Sequence, residues 1–156
     1  MSTRTSTMHE FMSALADVLQ SREALTGVDI ASGPLGVDTN RSESIHLFGS
    51  PERIASTGSQ QWAALGNRSR EEQYQVAGRV FVSRIGGDEP VIREARARAF
   101  ELFRELELAL RADPAVLAIV RTAEIDRFTL SQGAEESMGR VALIDFEISV
   151  RQRLPT

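Results

Sequence analysis

The side chains equipped for chemistry are few and scattered. The chain has two histidines, His9 and His46, far apart in sequence, and no cysteine. Without cysteine there are no disulfides, thiolate zinc sites or thiol nucleophiles. A histidine–carboxylate metal centre needs two or three convergent ligands, and no spacing here supplies them. Serines and aspartates are plentiful, yet nothing resembles the G-x-S-x-G nucleophile turn. Glu71-Glu72 opens a strand pattern, where adjacent side chains point to opposite faces. Glu135-Glu136 lies in a polar turn. Both read as solvated carboxylates rather than an acid–base pair. Ile85-Gly86-Gly87 sits between a strand and a helix, the place for a phosphate loop. Asp88 and Glu89 follow directly and would repel an anion, so a tight turn is the better reading. Asn40-Arg41-Ser42 and Asn67-Arg68-Ser69 fit the glycosylation pattern, which matters only in a secreted chain.

Two features are less easily assigned to packing. Trp62, the only tryptophan, lies in a Gly- and Gln-flanked stretch. It fits either a core position or an interface anchor, a role in which Trp is enriched. Arg68-Ser69-Arg70-Glu71-Glu72 places both signs of charge at a loop-to-strand junction. Such a run is either wet surface or a set of reciprocal ion pairs between subunits.

The elements that must position these residues are organised around one helix, from Asp88 to Pro114. Ile92, Ala95, Ala99, Leu102, Phe103, Leu106 and Leu110 recur at gaps of three and four and form one apolar stripe. Glu94 with Arg98, and Glu107 with Arg111, have the favourable acid-first i,i+4 order. Acids at the start and Pro90 in the first turn suit its N-terminus. Asp113-Pro114 stops it. Phe100 and Leu108 fall off the stripe, beside Arg93, Arg96 and Arg104. A monomer tolerates such surface apolars, and a neighbouring subunit could bury them.

An earlier helix starts at Thr7, where Thr7 and Glu10 have capping-box spacing. Phe11, Leu15, Val18, Leu19, Arg22 (through its stem) and Leu25 share its inner face, and Gly27 is placed as a C′ glycine. Residues 1–6 are expected to fray. Short strands are expected over 28–31 and 45–48, a ribbon near 60–65, and polar loops over 33–44 and 49–61. From Glu71 to Ile85, Tyr74, Val76, Val80 and Val82 alternate with polar residues, the period of a half-buried strand. Gly78 in its middle marks a bulge or a close backbone approach. Residues 116–130 hold a strand, whole or split near Thr122, 132–139 a turn, and 140–153 a last strand whose apolar parity switches at Leu143-Ile144, which calls for either a bulge or cover on both faces. The last two make an antiparallel hairpin. The sum is an α+β fold with a mostly antiparallel sheet and two helices packed on one face.

With 156 residues, one domain is expected. The charged and apolar fractions, 26% and 42%, are ordinary for a globular chain. No apolar run approaches a membrane span of about 20 residues, and MSTRTSTMHEF lacks the apolar core of a secretory signal. The net charge of −4 and the lack of a basic block disfavour nucleic acid as a sequence-specific partner. All 18 basic residues are arginine, the better cation for bidentate pairs at interfaces.

Four stretches together resemble tail terminator proteins of long-tailed bacteriophages, in particular those of actinobacterial hosts. They are EFMSALADVLQSREALTGV, QQWAALGNRSREEQYQVAGRVFVSRIGGDEP, VIREARARAFELFRELELALRADPAV and AEIDRFTLSQGAEESMGRVALIDFEISVRQRL. The resemblance covers roughly residues 10–154 and is one of layout, with no catalytic motif. It implies a ring, usually of six copies, on the head-proximal end of the tail tube. Its partners would be further copies of itself, the major tail tube protein and a head-side connector or head-closure protein. It implies no cofactor, no membrane and no enzymatic activity. The site would be the virion's tail–neck junction, reached after assembly in the host cytoplasm. The residues expected at contacts are Trp62, Arg68, Arg70, Glu71 and Glu72, with Arg93, Arg96, Phe100, Arg104 and Leu108 on the long helix. The alternatives are another neck component, such as a head-closure or tail-completion protein, and a small α+β enzyme or ligand-binding module.

Overall fold

The computed structural model describes residues 5–33, 42–47, 57–62, 69–135 and 139–155. A 6-stranded sheet carries two helices on one face. Helix α1 spans Met8–Gln20 and is followed by a 3-10 turn over Glu23–Leu25. Strands β1 (Asp29–Ala31), β2 (Glu43–Leu47), β3 (Thr57–Trp62) and β4 (Ser69–Arg84) come next. Helix α2 (Glu89–Ala112) precedes the hairpin of β5 (Thr122–Glu135) and β6 (Gly139–Pro155). The strand order is β1-β2-β4-β6-β5, antiparallel except for the β1–β2 pair.

β4 and β6 pair along their whole lengths and form the spine. The other edge of β4 is shared. β2 pairs with Gly78–Val82 and β3 with Arg70–Gln75. Of the polar loops expected over 33–44 and 49–61, residues 34–41 and 49–56 lie outside the described part. The ends correct the expectation, since β2 begins at Glu43 and residues 57–61 belong to β3 (57–62), the ribbon expected near 60–65.

Alternation in the sequence decides the faces. Tyr74, Val76, Val80 and Val82 of β4 and Ile144, Phe146, Ile148 and Val150 of β6 point at the helices and are buried. α1 answers with Phe11, Leu15 and Leu19, and α2 with Ala95, Ala99, Leu102, Leu106 and Leu110. Each fully buried large side chain of this set contributes about 1.5–3 kcal/mol. Gly78 is a close approach and not a bulge, for its pairing with β2 and β6 is unbroken. A Cβ there would stand 2.3 Å from the Phe146 ring. Likewise β6 has no bulge where its parity changes: Val141 and Ala142 are both buried, one on each face.

Three local expectations are corrected. Thr7 makes no side-chain cap bond; its hydroxyl is taken by Glu72, so the capping box does not form. α1 ends at Gln20, and Gly27 (φ +84) closes the 3-10 turn rather than the helix. The strand expected from Val116 begins at Thr122 and runs on to Glu135, through most of the stretch expected to turn; residues 136–138 lie outside the described part. Residues 114–119 instead form turns in which Val116, Leu117 and Ala118 take positive φ of 42°, 55° and 61°. The Asp113 carboxylate accepts from the Leu117 amide at 2.8 Å and holds this left-handed turn.

Charged residues tie the layers. Glu43 of β2 accepts from Arg84 of β4 and Arg98 of α2. Arg84 also meets Glu94, so the expected Glu94–Arg98 helix pair is replaced by contacts to the sheet, while Glu107–Arg111 forms at 2.7 Å. Burial alone would raise the Glu43 carboxyl, but hydrogen bonds from Arg98 and Arg84 outweigh it and hold the group below the usual range. Arg22, after α1, binds Glu105 of α2 at 2.8 Å.

Candidate functional site

The residues expected at contacts fall on two separate parts of the molecule. The first group lies where β3 meets the start of β4. Trp62 pairs with Arg70 through the backbone; the Trp62 side chain and Arg68 lie outside the described residues. Arg70 is exposed and Glu71 half-buried. Glu72 departs from the expectation. It is 2% exposed and points inward, because position 72 has the parity of Tyr74 and Val76. Its carboxylate accepts from the Thr7 amide (2.9 Å), the Thr7 hydroxyl (2.8 Å) and Gln60 (2.8 Å). Burial pushes this carboxyl up, and the bonds from Thr7 and Gln60 more than offset it, leaving it below the ordinary glutamate range. Glu72 therefore fastens the start of α1 to the sheet. Beside it, burial raises the Tyr74 phenol, whose oxygen lies 3.0 Å from the Thr7 hydroxyl.

The second group lies where α2 crosses β5. Phe100 is 38% exposed, and the structure adds a partner that sequence reasoning missed: Phe128 of β5, 53% exposed. Their rings meet edge to face at 6.3 Å and 88°. Phe103 touches Phe128 at 5.1 Å and Phe146 at 6.0 Å. A run of aromatic contacts thus leads from the core at Phe146, seated on Gly78, out to an exposed pair. Each such contact adds about 0.5–1.5 kcal/mol beyond area burial.

Phe128 owes its direction to a bulge. Ala123 and Ile125 face the helices opposite Val150 and Ile148. The register then slips between Ile125 and Arg127, leaving Asp126 without an opposite residue. The slip reverses parity, so Phe128 and Leu130 face the helices while Arg127 and Thr129 face away. The signal was present: apolar residues at odd positions through Ile125, then at even positions from Phe128.

Arginines frame the aromatic pair. Arg96 donates to Gln132 of β5 at 3.4 Å. Arg93 pairs with Glu89 at 2.9 Å. Arg104 is exposed. Among the described residues, neither Arg96 nor Arg104 has a carboxylate within ion-pair reach. Leu108 (36% exposed) is not part of this cluster. It stands two turns on from Phe100, roughly 12 Å along the axis and about 80° round it. The outer edge of β5 carries no further described strand.

The opposite face of the sheet is polar. Near β2 it buries Ser44, His46 and Ser83; toward β5 it is open, with Glu124, Arg127 and Thr129 exposed. Cross-strand pairs organise it: Arg79 with Asp145 at 2.6 Å and Arg127 with Glu147 at 3.1 Å. His9 is exposed on α1, away from His46. Among the described residues no group of three histidines or acids is placed to hold a metal ion, and no helix is long and apolar enough to cross a membrane.

No known protein family matches the chain. No curated protein matches it. Among solved structures, a chain of the virion of native gene transfer agent (GTA) particle aligns with 90% of this chain and 92% of its own length, at 11% identity and a TM-score of 0.48.

Proposed function

We propose that this chain is a tail terminator, a subunit whose ring closes the head-proximal end of a phage tail tube and offers a surface for joining the head. The observation that carries the assembly role is the Phe100–Phe128 pair. Two half-exposed aromatic rings are supported from the core, flanked by arginines lacking described carboxylate partners, and lie along an open strand edge. Aromatic residues and arginine are what protein interfaces concentrate. The likeness of the four sequence stretches to tail terminators supplies the particular role. The mechanism is surface complementarity. One side of the ring matches the last ring of the tube, and the other side lacks the surface that would seat another. Contacts between unlike patches that close on themselves make the assembly finite.

The test adds purified protein to the tail tube protein as it polymerises. The wild-type chain is expected to shorten the tubes and to appear at one end of each. Phe100→Ser with Phe128→Ser is expected to lose ring formation, seen by light scattering, and with it the effect on tube length. Tubes of unchanged length with saturating wild-type protein would overturn the terminator reading.

A further inference from the structure

We infer that the arginine-framed Phe100–Phe128 edge of one copy docks on the acidic outer surface of α1, the 3-10 turn and β1 of the next copy. This rests on the ring reading above and names the two surfaces that meet.

Helix α2 is net positive on the flank toward β5 and net negative on the flank toward β2 and α1. Toward β5 stand Arg96 and Arg104; Arg93 and Arg111 share that side at 100° per residue, each paired with an acid of the same flank, Glu89 and Glu107. Toward β2 and α1 stand Glu94, Glu101 and Glu105, as their ties to Arg84, Arg98 and Arg22 show. The acidic side continues beyond the helix. In described residues 5–33 Asp17 and Glu23 are exposed acids, and the one arginine there, Arg22, already lies on Glu105. Among these residues, Val18 and Ile30 are only partly buried and give an aromatic ring something apolar to meet.

These surfaces belong to opposite edges, since β5 ends the sheet on one side and β1 on the other. Unlike patches on opposite sides of one molecule make a head-to-tail contact, the kind that generates rings. A two-fold contact of the β5 edge with itself would bring Arg96 and Arg104 against their own copies, and like charges in contact are unfavourable. Complementary charge also fixes the register and speeds encounter.

Two charge-reversed proteins test this. One carries Arg96→Glu and Arg104→Glu; the other carries Asp17→Arg and Glu23→Arg. Arg104, Asp17 and Glu23 are exposed and Arg96 is half-buried, and circular dichroism checks the fold. By native mass spectrometry, the wild type is expected to form rings. Each variant alone is expected to assemble roughly tenfold or more weakly, because each now presents one sign on both edges. An equimolar mixture is expected to recover rings of alternating composition. If the Asp17/Glu23 variant alone assembles like the wild type, the proposed pairing is wrong while the ring stands. A wild type that stays monomeric at every concentration overturns both. Should a reversed variant fail to fold, Asp17→Asn with Glu23→Gln replaces it. Weaker assembly with a flatter salt dependence supports the contact, and unchanged assembly overturns it.

Discussion

Glu72 joins three elements through one carboxylate. It receives the amide and the hydroxyl of Thr7, the residue just before α1, and Gln60 links it to β3. Hydrogen bonds to a buried charge contribute about 1.5–3 kcal/mol each, and removing the acceptor leaves its donors unmet. Glu72→Ala is therefore expected to destabilise the chain by about 2–4 kcal/mol in urea unfolding, with Glu72→Gln between it and wild type. The sign with pH follows from its lowered carboxyl. An unfolded glutamate titrates near ~4.3. Above that value the contribution of Glu72 is complete, and it is lost as pH falls through the lower folded value. Glu43, also lowered, acts in the same direction. Stability is expected to hold from neutral pH down to about 5 and then decline. Glu72→Gln should show a shallower decline, and an equally steep one would count against this role. Gly78→Ala tests a second residue. Its methyl would press on Phe146 and on the His46 carbonyl oxygen, 2.9 Å away, so a loss of about 1–3 kcal/mol is expected in the same measurement. Neither role stands out in the sequence. Glu72 sits in a polar run whose parity with Tyr74 is masked by its charge, and a strand glycine admits either a bulge or a close contact.

Among the elements, α2 was the most legible, because seven apolar positions at helical spacing leave no competing period and Asp113-Pro114 ends it by local sterics. β4 was legible for the same reason at period two. β5 was not. The Asp126 bulge breaks its alternation midway, so the stretch reads as a poor strand and Phe128 goes unnoticed. Deleting Asp126 would leave Arg127 opposite Glu147 and Phe128 opposite Phe146 in an unbroken ladder, so Phe128 keeps its place against α2. Self-association is therefore expected to survive the deletion in light scattering, with circular dichroism checking the sheet, and to be lost when Phe128→Ser is added. Association unchanged by Phe128→Ser would show that Phe128 has no part in the contact. The turn after α2 was illegible for a different reason. Positive φ at Val116, Leu117 and Ala118 has no glycine to announce it; the Asp113 carboxylate and the burial of Val116 and Val120 hold it. Left-handed residues cost about 1–2 kcal/mol each. Leu117→Gly, at an exposed site, is thus expected to raise the unfolding midpoint, and a lowered midpoint would show that the leucine itself is needed.

On the scale of the molecule, the fold has a helix-covered face, a polar face open toward β5, and two unlike edges. The layered α+β architecture was accessible from periodicity alone. The distribution of its charges was not, since Asp17 and Glu23 on one side and Arg96 and Arg104 on the other become opposite edges only through the strand order β1-β2-β4-β6-β5. In this account the asymmetry is what allows a small subunit to close a ring and halt a growing tube. Electron microscopy of particles assembled without this chain is the most direct test of that claim. Overlong tails that fail to join heads are expected. Tails of normal length on heads that leak their DNA would contradict it and point to a head-closure role instead.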